Sequence, residues 1–179
     1  MAIHAVRRKV FISYYHDDDQ SYKNKFEKKF DQIFINKSVK SGDINTDVSA
    51  DYIKRLIQED YISDSSVLLV LIGPNTKKRK HVDWEISAAL NKKVGGYSGL
   101  AGILLPTFPL SSQNKYNYDD IPPRLADNVK SGYANVYAWS YAYASESNIK
   151  SIVQTSFAAK SNDLKKINNS RLQFEKNRA

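Results

Sequence analysis

The sequence of 179 residues contains no cysteine, and few histidines or long apolar runs. The missing cysteines exclude disulfides, thiolate metal sites and cysteine nucleophiles. Only three histidines are present, which makes a His-rich metal site unexpected. The longest apolar run, Val67–Ile72, has six residues, whereas a membrane helix needs ~20. Met1–Val10 shows no apolar stretch, so we expect no signal peptide. These absences predict a cytoplasmic protein without a membrane segment or a bound metal.

Glycine-rich phosphate motifs are also missing. Neither the dinucleotide-binding pattern G-x-G-x-x-G nor a Walker A sequence occurs, and there is no G-x-S-x-G nucleophile motif. The common nucleotide-binding and serine hydrolase chemistries of α/β proteins are therefore not predicted.

Charge is skewed toward basic residues, with 27 Lys and Arg against 19 Asp and Glu, a net charge of +8. Lys160–Ala179 contributes six basic and two acidic residues, and a second cluster occupies Lys77–Lys80. A basic surface attracts nucleic acids. No aromatic residues alternate with Lys77–Lys80, as a single-strand groove requires, so we interpret both segments as solvated. Nucleic acid is the least favoured partner.

Hydrophobic periodicity predicts alternating strands and helices. The predicted strands are Lys9–Tyr14, a short one near Lys37–Lys40, Ser66–Ile72, Leu100–Leu105 and Tyr133–Trp139. Amphipathic helices follow these strands, and Ser49 or Asp47 is expected to cap the second helix. This alternation predicts an α/β fold, a parallel five-stranded sheet with helices on both faces. We expect one domain over residues 1–160, including a Pro-rich insertion at 106–127 interpreted as a loop, and a basic C-terminal helix or tail over 161–179.

Ligands of such sheets bind beyond the carboxyl ends of the strands. Ser13–Asp17 directly follow the first strand and are expected to line that crevice. Glu85 falls early in the helix after the third strand, about 60° around the helix from Val82 and about 40° from Ala89. His81 precedes it by one turn. The pattern alone fits a surface acid at a helix N-terminus better than a catalytic acid. Trp84 points elsewhere, either packed under another segment or exposed as a contact residue.

Three segments, KVFISYYHDD, VLLVLIGPN and HVDWEISAAL, resemble in sequence and order those of Toll/interleukin-1 receptor (TIR) domains. Within that family, VDWEI and the Pro-rich insertion are most similar to ThsB, the TIR-like proteins of bacterial Thoeris anti-phage systems. Two positions differ from the usual pattern. His81 stands where many members have Trp, and the loop after the first helix reads Ser41-Gly42-Asp43-Ile44.

The resemblance implies a flavodoxin-like fold and cleavage of the nicotinamide–ribose bond of NAD. It implies that Glu85 is the catalytic glutamate and that NAD is a substrate, with no cofactor. It also implies a set of substrate-binding residues, namely Phe11, Ser13, Tyr14, Tyr15, His16, Asp17, Ile44 and His81. Glu85 would stabilise the ribose cation that remains when nicotinamide departs, a reaction that needs no metal.

The resemblance further implies a role in anti-phage signalling. Phage infection would trigger synthesis of a cyclic ADP-ribose isomer, and this diffusible signal would activate a ThsA-type effector that depletes NAD. Self-association of the chain is also implied. The alternative is a non-catalytic TIR-type interaction module, and a nucleic-acid binder ranks last.

Overall fold

Five parallel strands form one sheet in the order β2-β1-β3-β4-β5. The structure is a computed structural model, which describes residues 6–38, 48–92 and 96–179. The strands are β1 (Lys9–Ser13), β2 (Ile35–Asn36), β3 (Val67–Ile72), β4 (Gly99–Leu104) and β5 (Asn135–Ala138). This strand order is that of flavodoxin-like proteins and confirms the predicted fold. The order reverses between β1 and β3, which pair in parallel from Val10 opposite Val67 to Ser13 opposite Val70.

Helices cover both faces of the sheet. They are α1 (His16–Phe30), α2 (Ala50–Leu56), α3 (Lys80–Ala89), α4 (Pro123–Lys130), α5 (Trp139–Ala142) and α6 (Glu146–Asn162). Ser49 caps α2, and one π-helical segment, Ile57–Ile62, continues it. Short 3-10 turns occur at Thr76–Lys78, Tyr118–Asp120 and Leu164–Lys166. Within the described ranges, no helix combines the length and apolar character needed to cross a bilayer.

Two hydrophobic clusters make up the core, one on each face. The first lies between the sheet and α2, α3 and α4, and it includes Phe11 and Trp84. The second lies against α1 and α6, where Phe26 and Phe30 pack on the residues of β1 and β3. All six residues of β3 are buried. This double coverage explains why its sequence is a continuous apolar run instead of an alternating one.

Two predicted elements differ from the structure. The second strand is Ile35–Asn36, ahead of the predicted Lys37–Lys40, of which residues 39 and 40 lie outside the described residues. The Pro-rich insertion is not only a loop, because α4 begins inside it at Pro123. Proline is favoured in the first turn of a helix, where its missing N–H has no intrahelical partner. Leu125 and Ala126 then bury the inner face of α4.

The C-terminal tail, residues 163–179, was expected to be solvated and is instead packed against the domain. Phe174 is 5% exposed. Its carbonyl accepts a hydrogen bond from Trp84 Nε1 at 2.7 Å, and its N–H donates to Asp83 Oδ2 at 2.9 Å. Asn128 on α4 pairs with the backbone of Asn168, donating to its carbonyl at 2.7 Å and accepting from its N–H at 2.9 Å. The tail thus connects α3 and α4 through hydrogen bonds to both helices.

Replacement of Phe174 by Ala tests this packing. We expect Phe174→Ala to lower the free energy of unfolding by about 3 kcal/mol, because it leaves a cavity against α3. Leu172→Ala is the matched control, since Leu172 lies in the same tail but is 88% exposed. Urea denaturation of both variants is the measurement. Equal stability of the two variants would show that the tail is not packed.

Candidate functional site

A buried carboxylate, that of Glu85, lies at the carboxyl end of β1, where ligands of such sheets bind in a crevice. The hydroxyl group of Ser13, the last residue of β1, donates a hydrogen bond to Glu85 Oε2. Ser13 is 1% exposed and Glu85 is 7% exposed. The contact joins residues that are 72 positions apart in the sequence. Glu85 therefore does not project into solvent, as a surface acid near a helix N-terminus would.

Burial dominates the electrostatics of Glu85. It raises the pKa of the carboxyl group from its ordinary value of 4.5 to about 8, although the hydrogen bond from Ser13 acts in the opposite direction. Because burial disfavours the charged form, a cation that enters this crevice would stabilise the ionised carboxylate. Strongly shifted pKa values of this kind cluster at functional sites.

Aromatic and histidine side chains lie near this carboxylate. The rings of Tyr14 and His16 are stacked, with centroids 4.3 Å apart, and the Tyr14 hydroxyl donates to Gln20 Oε1 at 2.7 Å. Burial raises the pKa of Tyr14 to about 12, and the nearby charges of Glu27 and Glu85 add to this rise. The pKa of His81 is lowered by burial and then by the charges of Lys80 and His16. The structure thus brings the starts of α1 and α3 together.

The remaining predicted site residues have different surroundings. Tyr15 is partly buried, and its hydroxyl donates to the exposed Asp17 at 2.8 Å. Phe11 is 1% exposed within the core cluster shared with α2 and α3, so we assign it a packing role in place of the predicted substrate contact. Ile44 lies outside the described residues. Trp84 takes the first of its two predicted arrangements, because it packs under the C-terminal tail and is 1% exposed.

A second buried acid, Asp19, was overlooked by the sequence analysis. Its Oδ2 accepts a hydrogen bond from Thr76 Oγ1 at 3.3 Å, and Thr76 in turn accepts one from the Gly73 N–H at 2.8 Å. A Cβ atom on Gly73 would lie 2.5 Å from Asp19 Oδ1, so a larger residue here would displace the Asp19 carboxyl group. Burial raises the pKa of Asp19 to about 6. The sequence feature that could have predicted its burial is its helical spacing from Lys23 and Phe26, which lie on the same buried face of α1.

Arg79 was treated only as part of the basic cluster Lys77–Lys80. It occupies the N-cap position of α3, and its guanidinium carbon lies 3.8 Å from the centroid of the Tyr15 ring. A cation therefore lies against the segment that follows β1, the strand whose last residue, Ser13, contacts Glu85. Among the residues that the structure describes, no cluster of three or more His, Cys, Asp or Glu side chains is arranged to hold a metal ion.

The buried state of Glu85 predicts a pH-dependent stability change. The folded pKa of about 8 exceeds the ordinary 4.5, so the folded state binds this proton more tightly than the unfolded state. The stability of the wild type should therefore fall as the pH rises from 4.5 through 8. Glu85→Gln lacks this loss of stability, because its amide does not ionise. We expect the melting temperature of Glu85→Gln, relative to wild type, to increase between pH 5 and pH 9.

Glu59→Gln is the control, because Glu59 is exposed on the π-helical segment after α2. Thermal denaturation followed by circular dichroism at each pH gives the three melting temperatures. A difference between Glu85→Gln and wild type that stays constant with pH would contradict a buried carboxylate with a raised pKa.

Comparison with known proteins identifies the family. The family model described as "Thoeris protein ThsB, TIR-like domain" matches residues 11–106, from β1 to the end of β4. A search of curated proteins gave no match. The matched segment includes Ser13, Arg79 and Glu85. Since it spans more than half of the sequence, this chain belongs to the family of Thoeris ThsB proteins with a TIR-like domain.

Proposed function

We propose that this protein cleaves the nicotinamide–ribose bond of NAD and that Glu85 stabilises the transition state. The observation that carries the proposal is the buried Glu85 carboxylate, bonded to Ser13 at the switch point of the sheet. A carboxylate in this position faces the crevice where ligands of such sheets bind. Membership of the ThsB family supports a role in Thoeris defence.

The proposed role of Glu85 is to stabilise positive charge in the transition state, not to attack the substrate as a nucleophile. When the glycosidic bond breaks, nicotinamide leaves with the bonding electron pair as a neutral molecule, and positive charge develops on the ribose. An ionised Glu85 near that ribose stabilises the charge as it forms. Because the carboxylate is shielded from water, the interaction is stronger than at a surface. By analogy with a single oxyanion-hole contact, it contributes about 3 kcal/mol.

Binding of the substrate favours the required protonation state. The pyridinium ring of NAD is positively charged, and an opposite charge close to a carboxyl group lowers its pKa. Glu85 therefore loses its proton more readily in the complex than in the free protein. The raised pKa in the free protein suits this arrangement, because the negative charge is then formed only where the cation is present to compensate for it.

We further propose that the ribose cation is captured within the same dinucleotide. Attack by an adenine nitrogen or a ribose hydroxyl, with release of its proton, gives a cyclic ADP-ribose isomer in place of free ADP-ribose. Phage infection would trigger this step in the cytoplasm, and the diffusible product would activate a ThsA-type effector. The ThsB family supports this context, since Thoeris is named in its description.

Glu85→Gln tests the role of the carboxylate. We expect nicotinamide release from NAD to fall by about 100- to 1000-fold, because the amide is uncharged but keeps the shape of the side chain. Chromatographic detection of nicotinamide is the measurement, with purified protein and with lysates of phage-infected cells.

The matched control is Glu59→Gln, which makes the same chemical change at an exposed position and should retain wild-type turnover. If Glu85→Gln released nicotinamide as fast as wild type in infected lysates, Glu85 would not be catalytic. If wild type released none there either, the non-catalytic interaction module would become the better description.

The pH dependence of turnover gives a second test. Only the ionised carboxylate stabilises a cation, and kcat/KM reports on the free protein. Since the pKa of Glu85 is raised to about 8, kcat/KM for NAD should rise with pH through that value and then level off. Initial rates of nicotinamide release, corrected for the protein-free reaction at each pH, provide the profile. A profile that is flat across this range would contradict the proposed role.

A further inference from the structure

The basic cluster Lys77–Lys80 does not act as one charged surface, because its members have different surroundings. Lys77 forms an ion pair with Asp120, with a nitrogen–oxygen distance of 2.7 Å. The ammonium group of Lys80 lies 5.3 Å from the centroid of a Trp84 ring, on the side of the C-terminal tail. Arg79 instead lies over Tyr15, two residues after Ser13. Arg79 is therefore a basic residue of this cluster that packs against the segment following β1.

Arg79 has unused hydrogen-bonding capacity. Its Nε atom is buried without a hydrogen-bond partner, and the side chain makes no ion pair, within the part of the chain that the structure describes. A buried donor without an acceptor is unfavourable, and such groups often mark binding sites. Stacking on Tyr15 occupies a face of the guanidinium but leaves its in-plane N–H donors available.

Tyr15 is itself held in place, since its hydroxyl donates to Asp17 at 2.8 Å. A guanidinium on a fixed ring is preorganised, so less conformational freedom is lost when it binds an anion. Its planar donors match the oxygens of a phosphate group, to which they can bond in pairs.

We propose that Arg79 binds the pyrophosphate of the dinucleotide substrate, an inference that rests on the proposed function. Arg79 immediately precedes α3, and Glu85 lies within the same helix. NAD carries a positive pyridinium and a negative pyrophosphate, while α3 carries a carboxylate, Glu85, and its N-cap residue Arg79 carries a guanidinium. The two charges are thus complementary to those of the dinucleotide. Nicotinamide riboside has no phosphate, so it would interact with Glu85 but not with Arg79.

Binding of two substrate fragments tests this assignment. ADP-ribose retains the pyrophosphate but lacks nicotinamide, whereas nicotinamide riboside lacks phosphate. We expect Arg79→Ala to weaken ADP-ribose binding by about 10- to 100-fold, the effect of losing hydrogen bonds to a charged group, and to leave nicotinamide riboside binding unchanged. Isothermal titration calorimetry of the full chain measures both affinities. Arg79→Lys keeps the charge without the planar donors, so its loss should be intermediate.

Lys80→Ala is the matched control, because it removes the same charge one residue later and should bind ADP-ribose like wild type. If Arg79→Ala bound ADP-ribose as tightly as wild type, the Arg79 assignment would fail while the proposed function stood. If Lys80→Ala weakened binding as much as Arg79→Ala, only nonspecific charge would be involved, and the assignment would fail as well. If wild type bound neither ligand nor NAD, both proposals would be wrong.

Discussion

The buried ion pair between Asp83 and Arg124 determines where α3 lies. Arg124 Nε is 2.8 Å from Asp83 Oδ1, and both side chains are almost fully buried. Arg124 Nη2 also donates to Asp83, whereas Nη1 donates to Asn169 Oδ1 and to the carbonyl of Arg171, both in the C-terminal tail. A charge left unpaired in such a place costs about 3–5 kcal/mol, so α3, α4 and the tail are stable together or not at all. Glu85 is two residues from Asp83, and its position depends on this unit.

The N-terminus of α3 depends on the tail as well. Arg79, at the N-cap position, makes no side-chain capping bond. The Lys80 N–H donates instead to Asn177 Oδ1 at 3.0 Å, and the Arg178 N–H donates to the Lys78 carbonyl at 2.8 Å. A distant segment therefore satisfies donors and acceptors that local sequence leaves open. A guanidinium has no acceptor and cannot cap these N–H groups itself, and that of Arg79 lies over Tyr15 instead.

Buried acids at the crevice reduce stability in the protein's resting state. Glu85 and Asp19 both have raised pKa values, chiefly because of burial, and each accepts a hydrogen bond from a single hydroxyl group among the residues that the structure describes. A core built for stability alone would place apolar side chains there. Burial of acidic side chains at a cost in stability is typical of functional sites, where activity and stability oppose each other.

The predicted strands β1, β3 and β4 match the structure closely because each depends on a local apolar run, whereas β5, predicted at Tyr133–Trp139, is only Asn135–Ala138. Strand β2 was displaced by two residues, since its two-residue length carries almost no periodic signal. Helix α4 was overlooked because proline was interpreted as a loop signal, although at Pro123 it starts a helix. Glu85 and Ser13 were both predicted as site residues, but their hydrogen bond was not, because the two residues lie 72 positions apart in the sequence.

Local pattern was thus enough to establish the α/β class with a parallel sheet and the presence of an acid early in α3, whereas the flavodoxin-like type was implied by the resemblance to TIR domains. Burial of that acid, the pairing of Asp83 with Arg124 and the packing of the basic tail followed only from the folded chain. The physical reason is that periodicity reflects which face of one element is apolar, whereas the environment of a charge is set by groups from distant segments. Desolvation and ion pairing act through space, and no local stretch of sequence records them.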